Sequence, residues 1–102
     1  MITTVDWLRY GQFVLSVAGR DCNQYYLIVG LMNDHFVELA DGLRHPVAKA
    51  KKKNLKHVKV LMLVAKELEE MILKGESVAD SQVNAAINRL KNELEEGERF
   101  DG

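Results

Sequence analysis

Residues 56–73 read KHVKVLMLVAKELEEMIL, and a change of period inside this stretch decides the fold. KHVKV, residues 56–60, alternates: Val58 and Val60 fall on one face, as in a half-buried strand. From Leu61 the apolar positions are Leu61, Val64, Ala65, Leu68, Met71 and Ile72. Spacings of three and four make the stripe of an amphipathic helix. The spacing therefore predicts β structure up to residue 60 and α structure from 61 onward.

Towards the N-terminus the β pattern repeats. QFVLSVA (12–18) starts after Gly11 and alternates Phe13, Leu15 and Val17 with smaller or polar neighbours. QYYLIVGLM (24–32) is rich in aromatic and β-branched residues, and HFVEL (35–39) is a third short run. AGRDCN (18–23), Asn33-Asp34 and Asp41-Gly42 divide them. These residues tolerate positive φ and favour tight turns. Pro46 has no N–H to give to a ladder and belongs at an edge or in a loop. Adjacent Tyr25 and Tyr26 should face opposite sides of a strand, one in the core and one exposed. Four or five strands this short point to a small, strongly bent, partly closed antiparallel barrel. Trp7 and Tyr10, just ahead of it, are expected to seal one end.

Towards the C-terminus the helical period continues. Gly75 follows Leu73 and Lys74, where the first helix should stop. A second stripe is Val83, Ala86, Ile87, Leu90 and Leu94, with Asp80 or Ser81 as cap and Gly97 as its end. The connector GESVAD is short, so the helices should be neighbours. ERFDG (98–102) reads as a frayed tail. The fold class is α+β, with a barrel over residues 1–60 and a two-helix extension over 61–102. The Val83, Ile87, Leu90 and Leu94 stripe is close to heptad spacing, and a surplus of it would support a homodimer.

Charge divides at the same place. Residues 1–60 carry nine Lys/Arg against five Asp/Glu, and residues 61–102 carry five against ten. The whole chain of 102 residues has a formal net charge of only -1. Yet from Arg44 to Lys59 there are seven Lys/Arg and no acidic residue. The single cysteine, Cys22, excludes an intramolecular disulfide and fits a reducing compartment. MITTVDWLRYGQF lacks the basic start and apolar run of a secretory leader, and VLMLVA (60–65) is too short to span a bilayer. A cytoplasmic protein is expected.

GQFVLSVAGRD (11–21) followed by YYLIVGLMNDHFVELADG (25–42) resembles a KOW motif, and KKKNLKHVKV (51–60) resembles the basic closing segment of short bacterial KOW-domain RNA-binding proteins. These in turn are similar to KOW-type large-subunit ribosomal proteins. The resemblance covers residues 9–60 and implies an SH3-like barrel that binds RNA, with ribosomal RNA or the ribosome as partner. It puts Gly19 at the motif's loop glycine, with Arg20 and Asp21 at the tip. It puts Asp41 and Gly42 at the turn before the basic segment. Cys22 and Asn23 stand where the motif carries a basic residue and a second glycine. Asparagine still tolerates a left-handed backbone.

The basic segment is the main candidate site. Lysine is a flexible point charge, suited to phosphates and poor at reading bases. Lys49, Lys51, Lys52, Lys53, Asn54, Lys56, His57 and Lys59 form the expected RNA-binding strip, with Arg20, Arg44 and His45 at its margins. The bland alternative is an edge strand whose lysines deter aggregation. No phosphate-cradling glycine loop, nucleophile elbow or zinc-ligand spacing occurs, so no cofactor, metal or catalysis is expected. The competing function is a protein-interaction module using the barrel and the helical hairpin.

Overall fold

The computed structural model describes residues 8–100. Five strands and two helices follow in order: β1 Gln12–Ser16, β2 Tyr25–Leu31, β3 Phe36–Ala40, β4 Lys51–Asn54, β5 Val58–Val64, α1 Lys66–Leu73 and α2 Asp80–Phe100. The strands form one antiparallel sheet in the order β4-β3-β2-β1-β5. β4 and β5 are consecutive in the chain yet occupy opposite edges. Only the 3-10 turn Leu55–His57 joins them. In a flat sheet those edges would lie about 19 Å apart, and such a turn advances only about 6 Å. The sheet is therefore strongly curled, although no ladder joins its two edges.

Curling buries one face of the sheet and the helices bury the other. Val14, Tyr26, Ile28, Val37 and Leu39 pack on the concave side with Leu8. Phe13, Leu27 and Ala40 point the other way and pack against Leu68 of α1 and Val83, Ala86, Ile87 and Leu90 of α2. The second-helix stripe is thus buried within one chain, on the sheet. Tyr26 enters the core at 2% exposure. Tyr25 is half-buried rather than exposed, because its ring stacks on Phe13 at 5.0 Å.

The expected boundary at residue 60 is corrected: β5 continues to Val64. β1 and β5 pair Val14 with Val60 but Gln12 with Val64, so a bulge lies in β5 between those pairs. Val58 and Val60 pack on the concave side while Leu61, Leu63 and Ala65 pack on the helix side, so β5 is apolar on both faces. A strand with apolar residues on both faces shows no clean alternation, and Leu61, Val64 and Ala65 fit a helical spacing while still in or next to a strand. Gln12 secures the bulge from inside, its Nε2 donating to the Leu61 carbonyl at 2.6 Å and to the Leu63 carbonyl at 3.4 Å. Gly11, at φ 80°, follows the turn into β1 and accepts the Ala65 N–H at 2.9 Å where α1 begins.

Helix ends follow local chemistry. Gly75 adopts φ 79°, and the N–H groups of Gly75 and Glu76 return to the carbonyls of Ile72 and Met71. The Ala79 carbonyl accepts the first bonds of α2, and Gln82 reaches back to the Ala79 N–H at 2.8 Å. Asp80 is not the cap; its Oδ1 accepts the Val47 N–H at 2.7 Å and ties the β3–β4 connection to α2. Gly97 does not end α2, which runs to Phe100, so the tail is helical for three further residues. Trp7 lies outside the described residues. Among the described residues no helix is long and apolar enough to cross a membrane.

Candidate nucleic-acid interface

Strand geometry sorts the lysines. Successive side chains of β4 point to opposite faces. Lys51 pairs with Leu39 and Lys53 with Val37, whose side chains lie on the concave face, so these two lysines turn inward. Lys52 turns outward, where its amine lies 4.4 Å from the centre of the Phe36 ring.

What the inward lysines meet is Asp21, from the tip of the β1–β2 loop. The loop is shaped by Gly19 at φ 87° and Asn23 at φ 70°, so the asparagine does adopt the left-handed backbone. Asp21 is 8% exposed. Its Oδ1 accepts from Lys53 Nζ at 2.8 Å and Ser16 Oγ at 3.0 Å. Its Oδ2 accepts from Lys51 Nζ at 2.8 Å and the Tyr26 hydroxyl at 3.2 Å. Lys53 also donates to the Ala18 carbonyl at 2.9 Å. Burial alone would raise the Asp21 carboxyl, but bonds from Lys51, Lys53 and Ser16 outweigh it and hold the group well below the usual carboxylate range. Burial also pushes the Tyr26 phenol up, and the adjacent Asp21 charge adds to that.

The basic segment is therefore two populations. Lys53, 8% exposed, is a structural cation rather than the exposed one expected. Lys51 shares its counter-ion but remains partly exposed. Lys49, Lys52, Lys56 and Lys59 are exposed and form no ion pair among the described residues. Asn54 has a local duty, its Oδ1 accepting the Lys56 N–H at 3.0 Å at the start of the turn. His57 is half-buried, and its carbonyl accepts the Val17 N–H at 2.9 Å.

Four of the expected residues converge elsewhere. Arg20 from the β1–β2 loop, Arg44 and His45 from the β3–β4 connection and Lys51 from β4 line one cavity of about 180 Å3. Asp41 helps to shape it: its Oδ1 accepts the N–H groups of Leu43 and His45, both at 2.9 Å. His45 packs on Tyr26, ring centres 5.7 Å apart. Arg20 and Arg44 are exposed and unpaired among the described residues. Lys49, Lys52, Lys53, Asn54, Lys56, His57 and Lys59 do not line this cavity.

Sequence reasoning missed the part of Asp21, which it placed only as a loop residue. The signal was present: a strand through Lys51–Lys53 puts two lysines on one face, and an inward-facing pair needs a counter-ion. The acidic helix residues also have fixed partners. Glu69 takes both Arg9 Nε, at 2.7 Å, and Arg9 Nη2, and Glu67 takes Arg89. The bond from Arg9 holds the Glu69 carboxyl below its ordinary value. No protein-family model matches this chain, and no curated protein is significantly similar to it.

Proposed function

We propose that this protein is a non-catalytic RNA-binding protein, cytoplasmic and associated with the ribosome or its RNA. The observation that carries the reading is the convergence of Arg20, Arg44, His45 and Lys51, from three separate segments, on one open cavity. Unpaired arginines there can hold a phosphate in a forked grip. Exposed Lys49, Lys52, Lys56 and Lys59 add positive charge along the same chain segment, as expected of backbone contacts. The curled antiparallel sheet and the left-handed loop after Gly19 support a KOW-type SH3-like barrel, and with it the resemblance to ribosomal KOW proteins. The acidic excess of residues 61–102, ten Asp/Glu against five Lys/Arg, confines phosphate contacts to the barrel.

The test is the salt dependence of binding to mixed cellular RNA. Log affinity should fall linearly with log salt, and Arg20→Gln with Arg44→Gln should flatten the slope by about 0.7 to 0.9 for every phosphate no longer neutralised. A wild type with no salt-dependent RNA binding defeats the reading. Cross-linking in cells then identifies the RNA.

One observation favours a protein-interaction role instead. A cavity of about 650 Å3 opens between the sheet and the helical hairpin, with Val29, Val47, Ile72 and Val78 among its walls. Retention of a protein partner without RNA would select that reading.

A further inference from the structure

The arginine-lined cavity does not end at Arg44. Gln24 and Asp41 line it and also line a second cavity against helix α2, so the two adjoin. The second measures about 300 Å3, at the lower end of small-molecule sites, which run from about 300 to 1,000 Å3. The first, at about 180 Å3, has room for one compact group.

Their walls differ in chemistry. The first sets Arg20, Arg44 and Lys51 against the carboxylates of Asp21 and Asp41, three positive charges to two negative. Asp21 is engaged by Lys51 and Lys53, and the two arginines form no ion pair among the described residues. The second carries four carboxamides: Asn23 and Gln24 from the β1–β2 loop, Asn84 and Asn88 from α2. Asn84 and Asn88 are four residues apart and so share one helix face. Their side chains bond each other at a long 3.4 Å, and those of Asn23 and Gln24 make no hydrogen bond among the described residues. A carboxamide offers donors and an acceptor together. That suits the mixed donor and acceptor edge of a nucleobase better than a carboxylate or a simple amine. Flat and apolar surface is also at hand. Tyr25, held by its stack on Phe13, forms one wall, and Leu43, 72% exposed, forms another. Lys91 brings its amine to 5.5 Å from the Tyr25 ring centre.

We infer that the joined cavities are a subsite for one nucleotide, the base in the carboxamide cleft and its phosphate between Arg20, Arg44 and Lys51. For a nucleotide within a strand, the inference rests on the RNA-binding reading. A free nucleoside monophosphate carries the same chemistry. On this reading the protein has a base preference, which a lysine strip alone would not confer. The preference comes from a helix and a loop outside the basic segment.

The experiment measures binding of four short homopolymeric RNAs and of the four nucleoside monophosphates at several salt concentrations. Wild type, Asn88→Ala and Arg44→Gln are compared. Asn88 and Arg44 are both exposed, so neither change disturbs the core. Wild type should favour one base. Asn88→Ala should lower affinity for that base by about 2- to 10-fold, the worth of one hydrogen bond, and leave the salt slope unchanged. Arg44→Gln should weaken all four RNAs alike and flatten the slope by about 0.7. RNA binding with no base preference, or a preference untouched by Asn88→Ala, overturns the subsite and leaves the RNA-binding reading standing. Base-selective binding of monophosphates with no RNA binding keeps the subsite and overturns the RNA-binding reading. Binding of neither overturns both.

Discussion

Lys53 Nζ lies 2.8 Å from Asp21 Oδ1, and each side chain is more than nine-tenths buried. Together with the Lys51 bond to Asp21 Oδ2, this bond fastens the tip of the β1–β2 loop to the edge strand β4. It also fixes the loop that carries Arg20, so the framework of the cavity depends on it. Lys53 serves the fold alone, Lys51 serves it and also lines the cavity, and Lys49, Lys52, Lys56 and Lys59 are exposed to meet a ligand.

Asp21→Asn should be strongly destabilising. It leaves Lys53 charged and buried without a counter-ion, a loss of about 3–5 kcal/mol for a broken buried pair. Lys51→Gln should cost less, because Lys51 is partly exposed and Lys53 still holds the carboxylate. Urea unfolding measures both, and an unchanged midpoint for Asp21→Asn would refute the structural part assigned to the pair.

Stability should depend on acid pH through the same group. The folded-state value of Asp21 is depressed, so its contribution is fully present above the unfolded value, about 3.9. It is lost as pH falls below that value towards the folded one. Between pH 4 and pH 2 the thermal midpoint of wild type should fall more steeply than that of Asp21→Asn. Parallel profiles would count against the assignment.

Glycine replacements should separate by context. A Cβ at Gly11 would stand 2.6 Å from the Ala65 carbonyl oxygen, and one at Gly42 would collide with the Asp80 backbone. At Gly75 nothing lies within 4 Å. Alanine at Gly75 should therefore cost only the left-handed backbone, about 1–2 kcal/mol. Alanine at Gly11 or Gly42 should cost more, since backbone must move. Equal midpoints for the three variants would contradict this order.

Gln12→Leu tests the bulge. Without its amide, the Leu61 carbonyl loses a 2.6 Å bond inside the protein. An unsatisfied buried polar group costs about 1–3 kcal/mol. Amide hydrogen exchange in β5 should accelerate locally, while α2 is unaffected.

The lysines should divide by function. Changing Lys52, Lys56 and Lys59 to glutamine should flatten the salt slope of RNA binding by about 0.7 to 0.9 for each phosphate left without its lysine, with the unfolding midpoint unchanged. Changing Lys51 and Lys53 should shift the midpoint itself. If the first set moves stability and the second does not, the division is wrong.

Residues close in sequence determined much of this protein without help. Alternation along 12–18, 24–32 and 35–39 marks three strands, and the spacing of Val83, Ala86, Ile87 and Leu90 marks the buried face of α2. Gly75 marks the end of α1, and Asn23 the left-handed loop, because backbone preference is a property of the residue itself. The α+β class and the concentration of basic residues were legible for the same reason. Three features were not. The bulge in β5 depends on how β5 lies against β1, and a spacing of three and four in Leu61, Val64 and Ala65 suits a helix equally well. The burial of Lys53 depends on Asp21, which reaches it only when the curled sheet brings loop and edge strand together. The cavity depends on Arg20, Arg44 and Lys51 arriving from three segments whose separation in sequence carries no sign of their meeting. Periodicity and turn chemistry act between neighbours along the chain, whereas ion pairing and cavity formation act between surfaces that exist only once the strands have registered.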